Sequence, residues 1–190
     1  MALAQPLEFI DPDTYMTMEK QSDIKHEYVN GLITAMAGAS RRHNLLTLTI
    51  ASLLRNHLRG TGCQTFASDM KVNASHKGNT VFYYPDVMVS CNRANQDAFV
   101  ENHPQIIIEV LSPSTEARDR MEKLAAYTSI PGLKEYVLVH QDKIAIDLYQ
   151  NTGHGWEVIR FTHEQEHIHF LSIDFTATLQ EIYEDVAGVL

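Results

Sequence analysis

The chain has 190 residues, of which 44% are hydrophobic and 21% charged, which is typical of a globular protein and excludes disordered or fibrous classes. Fifteen Lys and Arg against 24 Asp and Glu leave a formal net charge of −9, which argues against nonspecific adhesion to nucleic acid through a basic surface. We find neither a signal-peptide pattern nor an apolar stretch of membrane-spanning length, so we expect no membrane attachment.

The first half of the chain predicts two helices, a hairpin and a group of strands. Residues 12–20 favour a short helix, and Asn30–Gly31 is a turn dipeptide between two short strands. Ser40 is a helix-capping residue, and the apolar residues after it recur at helical spacing until Gly60 ends the pattern. Residues 63–90 then predict a meander of strands.

The second half predicts alternating strands and helices. The nearly continuous apolar run at 105–111 is typical of a central strand that is buried on both faces. A helix over about 117–129 and a strand at 134–140 would complete a β-α-β unit with it. Three further strands and a closing helix are predicted at 143–149, 156–162, 166–173 and about 178–186.

This order of elements predicts an α/β centre with α+β character at the ends, in which helices flank a mixed central β-sheet. No repeat, low-complexity tract or linker divides the sequence. We therefore expect residues 1–190 to form a single domain.

The two cysteines, Cys63 and Cys91, lack the short spacing of metal-binding cysteines. In a chain without a secretion signal they predict buried, reduced thiols in the core. A cytoplasmic protein is the expected consequence.

A carboxylate pair is the most informative feature of the sequence. Glu109 lies inside an apolar strand, where an ionised carboxylate loses hydration unless a partner compensates for it. A divalent cation is one such partner, and Asp86 supplies a second carboxylate on a neighbouring strand. Two interpretations without a metal stay open, because Glu109 could pair with Lys or Arg, and an acid after proline, as at Asp86, is common at strand ends.

Six segments, in a fixed order and spacing, together span nearly the whole chain. They are HEYVNGLI at 26–33, His43, YYPDVMV at 83–89, IIIEVLSPST at 106–115, DRMEKL at 119–124 with Tyr127, and PGLKEYVLV at 131–139. In this order and spacing they resemble the small bacterial "putative restriction endonuclease" family of the PD-(D/E)XK nuclease superfamily.

The resemblance implies a restriction-endonuclease-like fold and the hydrolysis of DNA phosphodiester bonds with Mg²⁺ or Mn²⁺. Asp86, Glu109 and the backbone carbonyl of Val110 would hold the cation. Glu27 matches an acidic position of the family that completes the site, although an exposed hairpin residue is the other interpretation. Because both strands of a duplex must be cut, a homodimer with two related sites is expected.

The chain departs from the superfamily pattern at Leu111, where the pattern has a lysine. The resemblance implies that this lysine has moved to the next helix, as Lys123. A helix that begins near Ala117 puts Lys123 in its second turn, within reach of the site, whereas a helix that begins at Pro113 carries it farther away. The alternative for Lys123 is an ion pair with Asp119 on a solvated helix face.

Two other functions compete with a nuclease. His163, Glu164 and His167 match the H-E-x-x-H pattern of zinc hydrolases, which needs a helix. Alternating apolar residues on both sides instead predict a turn between strands, so a zinc hydrolase is a remote alternative. The second competitor is a noncatalytic protein- or nucleic-acid-interaction module on the same fold, which Leu111 and the acidic charge favour.

Overall fold

The structure, a computed structural model, describes residues 9–94 and 97–186. In chain order its elements are α1 Pro12–Glu19, β1 His26–Val29, β2 Leu32–Ala35, α2 Arg41–His57, β3 Gln64–Ala67, β4 Lys71–Asn73, β5 Val81–Tyr83, β6 Val87–Ser90, β7 Val100–Glu101, β8 Ile106–Leu111, α3 Glu116–Arg118, a π-helical segment Asp119–Lys123, α4 Leu124–Tyr127, β9 Glu135–His140, β10 Ile146–Asn151, β11 Trp156–Phe161, β12 His167–Phe170, β13 Phe175–Thr178 and α5 Leu179–Tyr183.

Within the described residues the strands form three sheets. The largest has six strands in the order β11-β10-β9-β8-β6-β3, and the other two have the orders β2-β1-β5-β4-β7 and β12-β13. Strands β8 and β9 are parallel, whereas β6 is antiparallel to β8. The connection from β8 to β9 runs through residues 116–127, which we call the crossover helix, as a parallel pair requires. The predicted α/β class and this β-α-β unit are confirmed.

Strand β8 lies at the centre of the molecule, and all six of its residues are buried. Ile106, Ile108 and Val110 belong to one hydrophobic cluster, which includes buried residues of α2 and α5. Ile107 and Leu111 belong to a second cluster, which includes Tyr127 of the crossover helix. Glu109 lies between Ile107 and Leu111 in the alternation of the strand, and therefore points towards the second cluster.

Local sequence accounts for the elements that position the site. Asn30 and Gly31 have φ values of 47° and 90°, which a two-residue hairpin turn with the twist of the strands requires. The Ser40 side chain accepts a hydrogen bond from the His43 amide at 3.1 Å and so caps the start of α2.

The meander predicted over residues 63–90 is wrong. β3 pairs with β6 in the six-stranded sheet, whereas β4 and β5, which lie between them in sequence, pair in the five-stranded sheet. The chain leaves the first sheet at Ser68, whose φ of 58° turns the backbone. Alternation of apolar residues identifies strands but does not specify their partners.

The prediction of reduced thiols is also wrong, because Cys63 and Cys91 form a disulfide. Gln64 pairs with Ser90, so continuing this antiparallel register puts the two cysteines opposite each other at the ends of β3 and β6. Their separation of 28 residues gives no sign of this cross-strand contact. The cysteines therefore no longer support a cytoplasmic location.

Candidate active site

Asp86 and Glu109 come together because of the register between β6 and β8. Val87 pairs with Ile108, so the next pair of the antiparallel ladder sets Asp86 opposite Glu109. The negative charge of Asp86 contributes to raising the pKa of Glu109, as expected for neighbouring carboxylates. The pair predicted from sequence is thus close in space at one end of two central strands.

The Asp86 carboxylate makes its contacts through one oxygen. Oδ2 accepts a hydrogen bond from the Val110 amide at 2.7 Å and lies 3.1 Å from Nε2 of His43. Within the described residues, Oδ1 accepts no hydrogen bond. One oxygen of Asp86 is therefore held by the protein while the other is available to a ligand.

The side chain of His43, in the first turn of α2, contacts Asp86. Burial lowers the pKa of its imidazole, but the Asp86 carboxylate and the Val110 carbonyl outweigh burial and raise it. The imidazole is thus near both oxygen groups.

Glu109 is buried and also uses a single oxygen for its hydrogen bonds. Oε1 accepts from Lys123 Nζ at 2.9 Å and from the Tyr127 hydroxyl at 2.8 Å. No described residue donates to Oε2. Burial raises the pKa of Glu109 well above its ordinary value, although Lys123 acts in the opposite direction. A cation beside Oε2 would compensate for this burial.

Lys123 reaches the site from the π-helical segment in the middle of the crossover helix. Its Nζ lies 2.9 Å from Glu109, 3.2 Å from Glu27 and 3.3 Å from Asp119. Burial lowers the pKa of Lys123, but the charges of these three carboxylates outweigh burial and raise it. Lys123 is therefore charged. It donates a hydrogen bond to Glu109 and lies within ion-pair distance of the other two carboxylates.

Glu27 is buried in β1 and forms ion pairs with two basic side chains. One carboxylate oxygen pairs with Lys123, and the other pairs with Arg118 of the crossover helix. The interpretation of Glu27 as an exposed hairpin residue is wrong. The interpretation of Lys123 as part of a solvated helix face is wrong as well, because only 7% of its side chain is exposed.

The donor set fits a divalent cation that is bound by two carboxylates and a backbone carbonyl. Within residues 9–94 and 97–186, no three His, Cys, Asp or Glu side chains are grouped to hold a metal. The fit depends on oxygens without hydrogen bonds in Asp86 and Glu109 and on the adjacent carbonyl of Val110. Hard oxygen ligands of this kind are those that Mg²⁺ and Mn²⁺ prefer.

The H-E-x-x-H pattern lies in a turn between β11 and β12, as predicted. Glu166, within this turn, accepts hydrogen bonds from the amides of Thr162 and His163. His163 and His167 are thus not one helical turn apart, and the geometry that a zinc hydrolase needs is not formed.

The sequence assigns no site role to Tyr127, and to Asp119 only an ion pair with Lys123 on a solvated helix face, although both residues contact the buried site. Tyr127 donates to Glu109, and Asp119 pairs with Lys123. The spacing Asp119, Lys123, Tyr127 follows a single helix face, and this signal is present in the sequence. Leu111, in contrast, is buried in the second hydrophobic cluster, where it cannot act on a substrate.

Two proteins of Synechocystis sp. are similar in sequence to most of this chain. A protein of Synechocystis sp., described as "Uncharacterized protein slr1290", is 33% identical over 184 residues, covering 96% of this chain and 95% of the relative. A second Synechocystis protein, "Uncharacterized protein sll1609", is 33% identical over 163 residues, covering 82% of this chain and 89% of the relative.

Among the described residues, no helix combines the length and apolar character needed to cross a membrane.

A crystal structure described as "a putative nuclease belonging to DUF820" from Anabaena variabilis has a TM-score of 0.68 with this chain. It covers 84% of this chain and 89% of its own length at 15% sequence identity, and so supports the nuclease-like fold. A family model, Uma2, described as "Putative restriction endonuclease", matches residues 12–180. This match covers most of the chain, and the protein therefore belongs to the Uma2 family of proteins described as putative restriction endonucleases.

Proposed function

We propose that the protein is an endonuclease that hydrolyses phosphodiester bonds in DNA with Mg²⁺ or Mn²⁺ as its cofactor, in the manner of PD-(D/E)XK nucleases. Asp86, Glu109 and the Val110 carbonyl are the proposed cation ligands. Lys123 and Glu27 complete the proposed catalytic group. The family description and the nuclease-like fold support this proposal.

The contact between Lys123 and Glu109 is the observation that carries the proposal. The superfamily pattern requires a lysine beside the catalytic glutamate, and Leu111 cannot supply it. Lys123 brings an ammonium group to 2.9 Å from Glu109 Oε1 from a different element. A buried lysine that is charged beside an acidic pair is the group that such a site would otherwise lack.

The chain's own residues suggest how hydrolysis would proceed. A divalent cation, when bound, supplies charge that stabilises the phosphoryl oxygens and lowers the pKa of water. Lys123 would donate hydrogen bonds to the substrate phosphate or to the attacking water. Glu27 and Arg118 restrict where the ammonium group can move, and Tyr127 fixes the orientation of Glu109. Water attacks directly, and no covalent enzyme intermediate is required.

A homodimer belongs to the same proposal, since a duplex that is cut in both strands is served by two related sites. Strand β11 is an edge of the six-stranded sheet, and its Val158 and Ile159 are 54% and 42% exposed. Antiparallel pairing with β11 of a second chain would satisfy this open edge and set a cross-strand neighbour beside each of the two side chains, which lie on opposite faces of the sheet. Light scattering should then give about twice the chain mass of 21.5 kDa, and Val158→Lys should give the monomer mass.

A cytoplasmic location also belongs to the proposal, because the DNA that it would cleave lies there. The disulfide between Cys63 and Cys91 would then form only when conditions become oxidising.

Cleavage of supercoiled plasmid tests the proposed activity. We expect nicked and linear products with Mg²⁺ or Mn²⁺ but not with EDTA, and a loss of at least about 100-fold in Asp86→Asn, Glu109→Gln and Lys123→Met. Asp174→Asn and Lys134→Met are matched controls on exposed residues and should retain activity. Activity that persists in Asp86→Asn would overturn the site. A wild-type protein that cleaves no duplex, single strand or RNA would favour the noncatalytic interaction module.

A further inference from the structure

Asp119 is a buried carboxylate that the proposed mechanism does not use. It is 1% exposed, and its Oδ1 is buried without a hydrogen-bond partner among the described residues. The nearest cation is Lys123, whose Nζ lies 3.3 Å from Oδ1 as an ion pair. A buried acceptor without a hydrogen bond is costly, so a functional reason for keeping it is expected.

Asp119 also belongs to the electrostatic environment of the proposed cation site. Its negative charge contributes to raising the pKa of Glu109 and that of His43. The carboxylate is thus close enough to influence both groups, although it contacts neither. Besides a side-chain hydrogen bond with Thr115, its contact is the ion pair with Lys123, so any role in the site acts through the lysine.

A divalent cation at Glu109 would change the position of Lys123. The ammonium group now lies 2.9 Å from Glu109, and two positive charges on one carboxylate repel each other. Lys123 would lose part of this interaction when the cation binds. The lysine then needs an anion that is not a cation ligand, so that it stays charged and near the substrate.

Of the other two carboxylates around Lys123, Asp119 is the better anchor. Glu27 divides its charge between Lys123 and Arg118. Asp119 forms its ion pair with Lys123 alone among the described residues, and the two lie in the same helical segment, four residues apart. Short π-helical segments inside α-helices often occur at functional sites, and this one carries both residues.

We propose that Asp119 is a positioning residue that holds the Lys123 ammonium group in the site when a divalent cation binds Asp86 and Glu109. This inference rests on the proposed function. When the cation binds, Lys123 would lose its contact with Glu109 and keep its ion pair with Asp119.

Asp119→Asn tests the proposal, because it removes the charge and keeps the shape. The matched control is Glu116→Gln, which removes a half-buried acid paired with Arg120 in the same crossover helix. Asp119→Glu keeps the charge and should recover part of the effect. Three readouts are compared for each variant: the ¹⁵N signal of the Lys123 ammonium group, Mn²⁺ affinity by electron paramagnetic resonance, and kcat for plasmid cleavage.

We expect the Lys123 signal of the wild type to shift but persist when Mg²⁺ is added, and that of Asp119→Asn to disappear. Mn²⁺ affinity should stay within about threefold of the wild type, while kcat falls by about tenfold or more. A Lys123 signal that persists in Asp119→Asn with Mg²⁺ would overturn the proposal. So would a loss of Mn²⁺ binding, which would indicate a ligand or a structural role. If the wild type cleaves no DNA, the proposed function fails, and the ammonium signal and Mn²⁺ affinity still decide the role of Asp119.

Discussion

Replacing Lys123 by Met should destabilise the folded protein strongly, and the loss should depend on pH. The substitution leaves Glu27, Glu109 and Asp119 buried without the ammonium group that they share. Removing one partner from a buried ion pair typically costs about 3–5 kcal/mol, because the remaining charge is uncompensated. We expect a decrease of this size in the free energy of unfolding at pH 8.

The sign of the pH dependence follows from Glu109. Burial raises its pKa in the folded state, so the folded protein binds a proton more tightly than the unfolded chain does. Without Lys123 this pKa rises further. The loss of stability in Lys123→Met should therefore be full above the pKa of Glu109 in the folded protein. It should shrink as the pH falls towards the pKa of Glu109 in the unfolded chain.

Urea unfolding at pH 8 and pH 5 measures both effects, and Lys134→Met is the control for removing an exposed lysine. A second variant, Lys123→Met with Glu109→Gln, should recover part of the stability at pH 8, since it removes one of the buried charges. A loss below about 1 kcal/mol, or an equal loss at both pH values, would refute the electrostatic account of this site.

Two further predictions concern regions away from the site. Reducing the disulfide between Cys63 and Cys91, which closes a loop of 28 residues, should lower the free energy of unfolding by about 2–4 kcal/mol, and an unchanged urea midpoint in reductant would contradict this. Asp147→Asn removes the buried partner of Arg120 and Arg160 and should cost about 1.5–3 kcal/mol at pH 7. Burial raises the pKa of Asp147, but hydrogen bonds from both arginines outweigh burial and lower this pKa in the folded state. The stability that Asp147 contributes is therefore present above its pKa in the unfolded chain and is lost as the pH falls through its pKa in the folded protein. An equal loss of stability in Asp147→Asn at pH 7 and pH 2 would contradict the reasoning.

Local signals in the sequence were sufficient for the central features of the fold. The apolar run around Glu109 identified the central strand, Asn30–Gly31 identified the hairpin, and Ser40 identified the start of α2. These features depend on residues close together in the chain, where turn, capping and burial patterns act directly.

Features that depend on distant residues were not predictable in the same way. The division of β3, β4, β5 and β6 between two sheets and the disulfide are set by pairing between strands, which apolar alternation does not encode. Asp119 is buried within a π-helical segment, and no residue pattern in the sequence predicts that segment. That residues 1–190 form a single domain stays a prediction.

Titration with Mn²⁺, followed by electron paramagnetic resonance, tests the proposed cation site most directly. We expect one Mn²⁺ bound per chain, displaced by Mg²⁺, with affinity reduced by at least about tenfold in Asp86→Asn and in Glu109→Gln. Asp174→Asn, which changes an aspartate whose side chain is 99% exposed, should bind as the wild type does. Unchanged Mn²⁺ binding in Asp86→Asn, or no binding by the wild type, would contradict the claim that Asp86 and Glu109 hold a divalent cation.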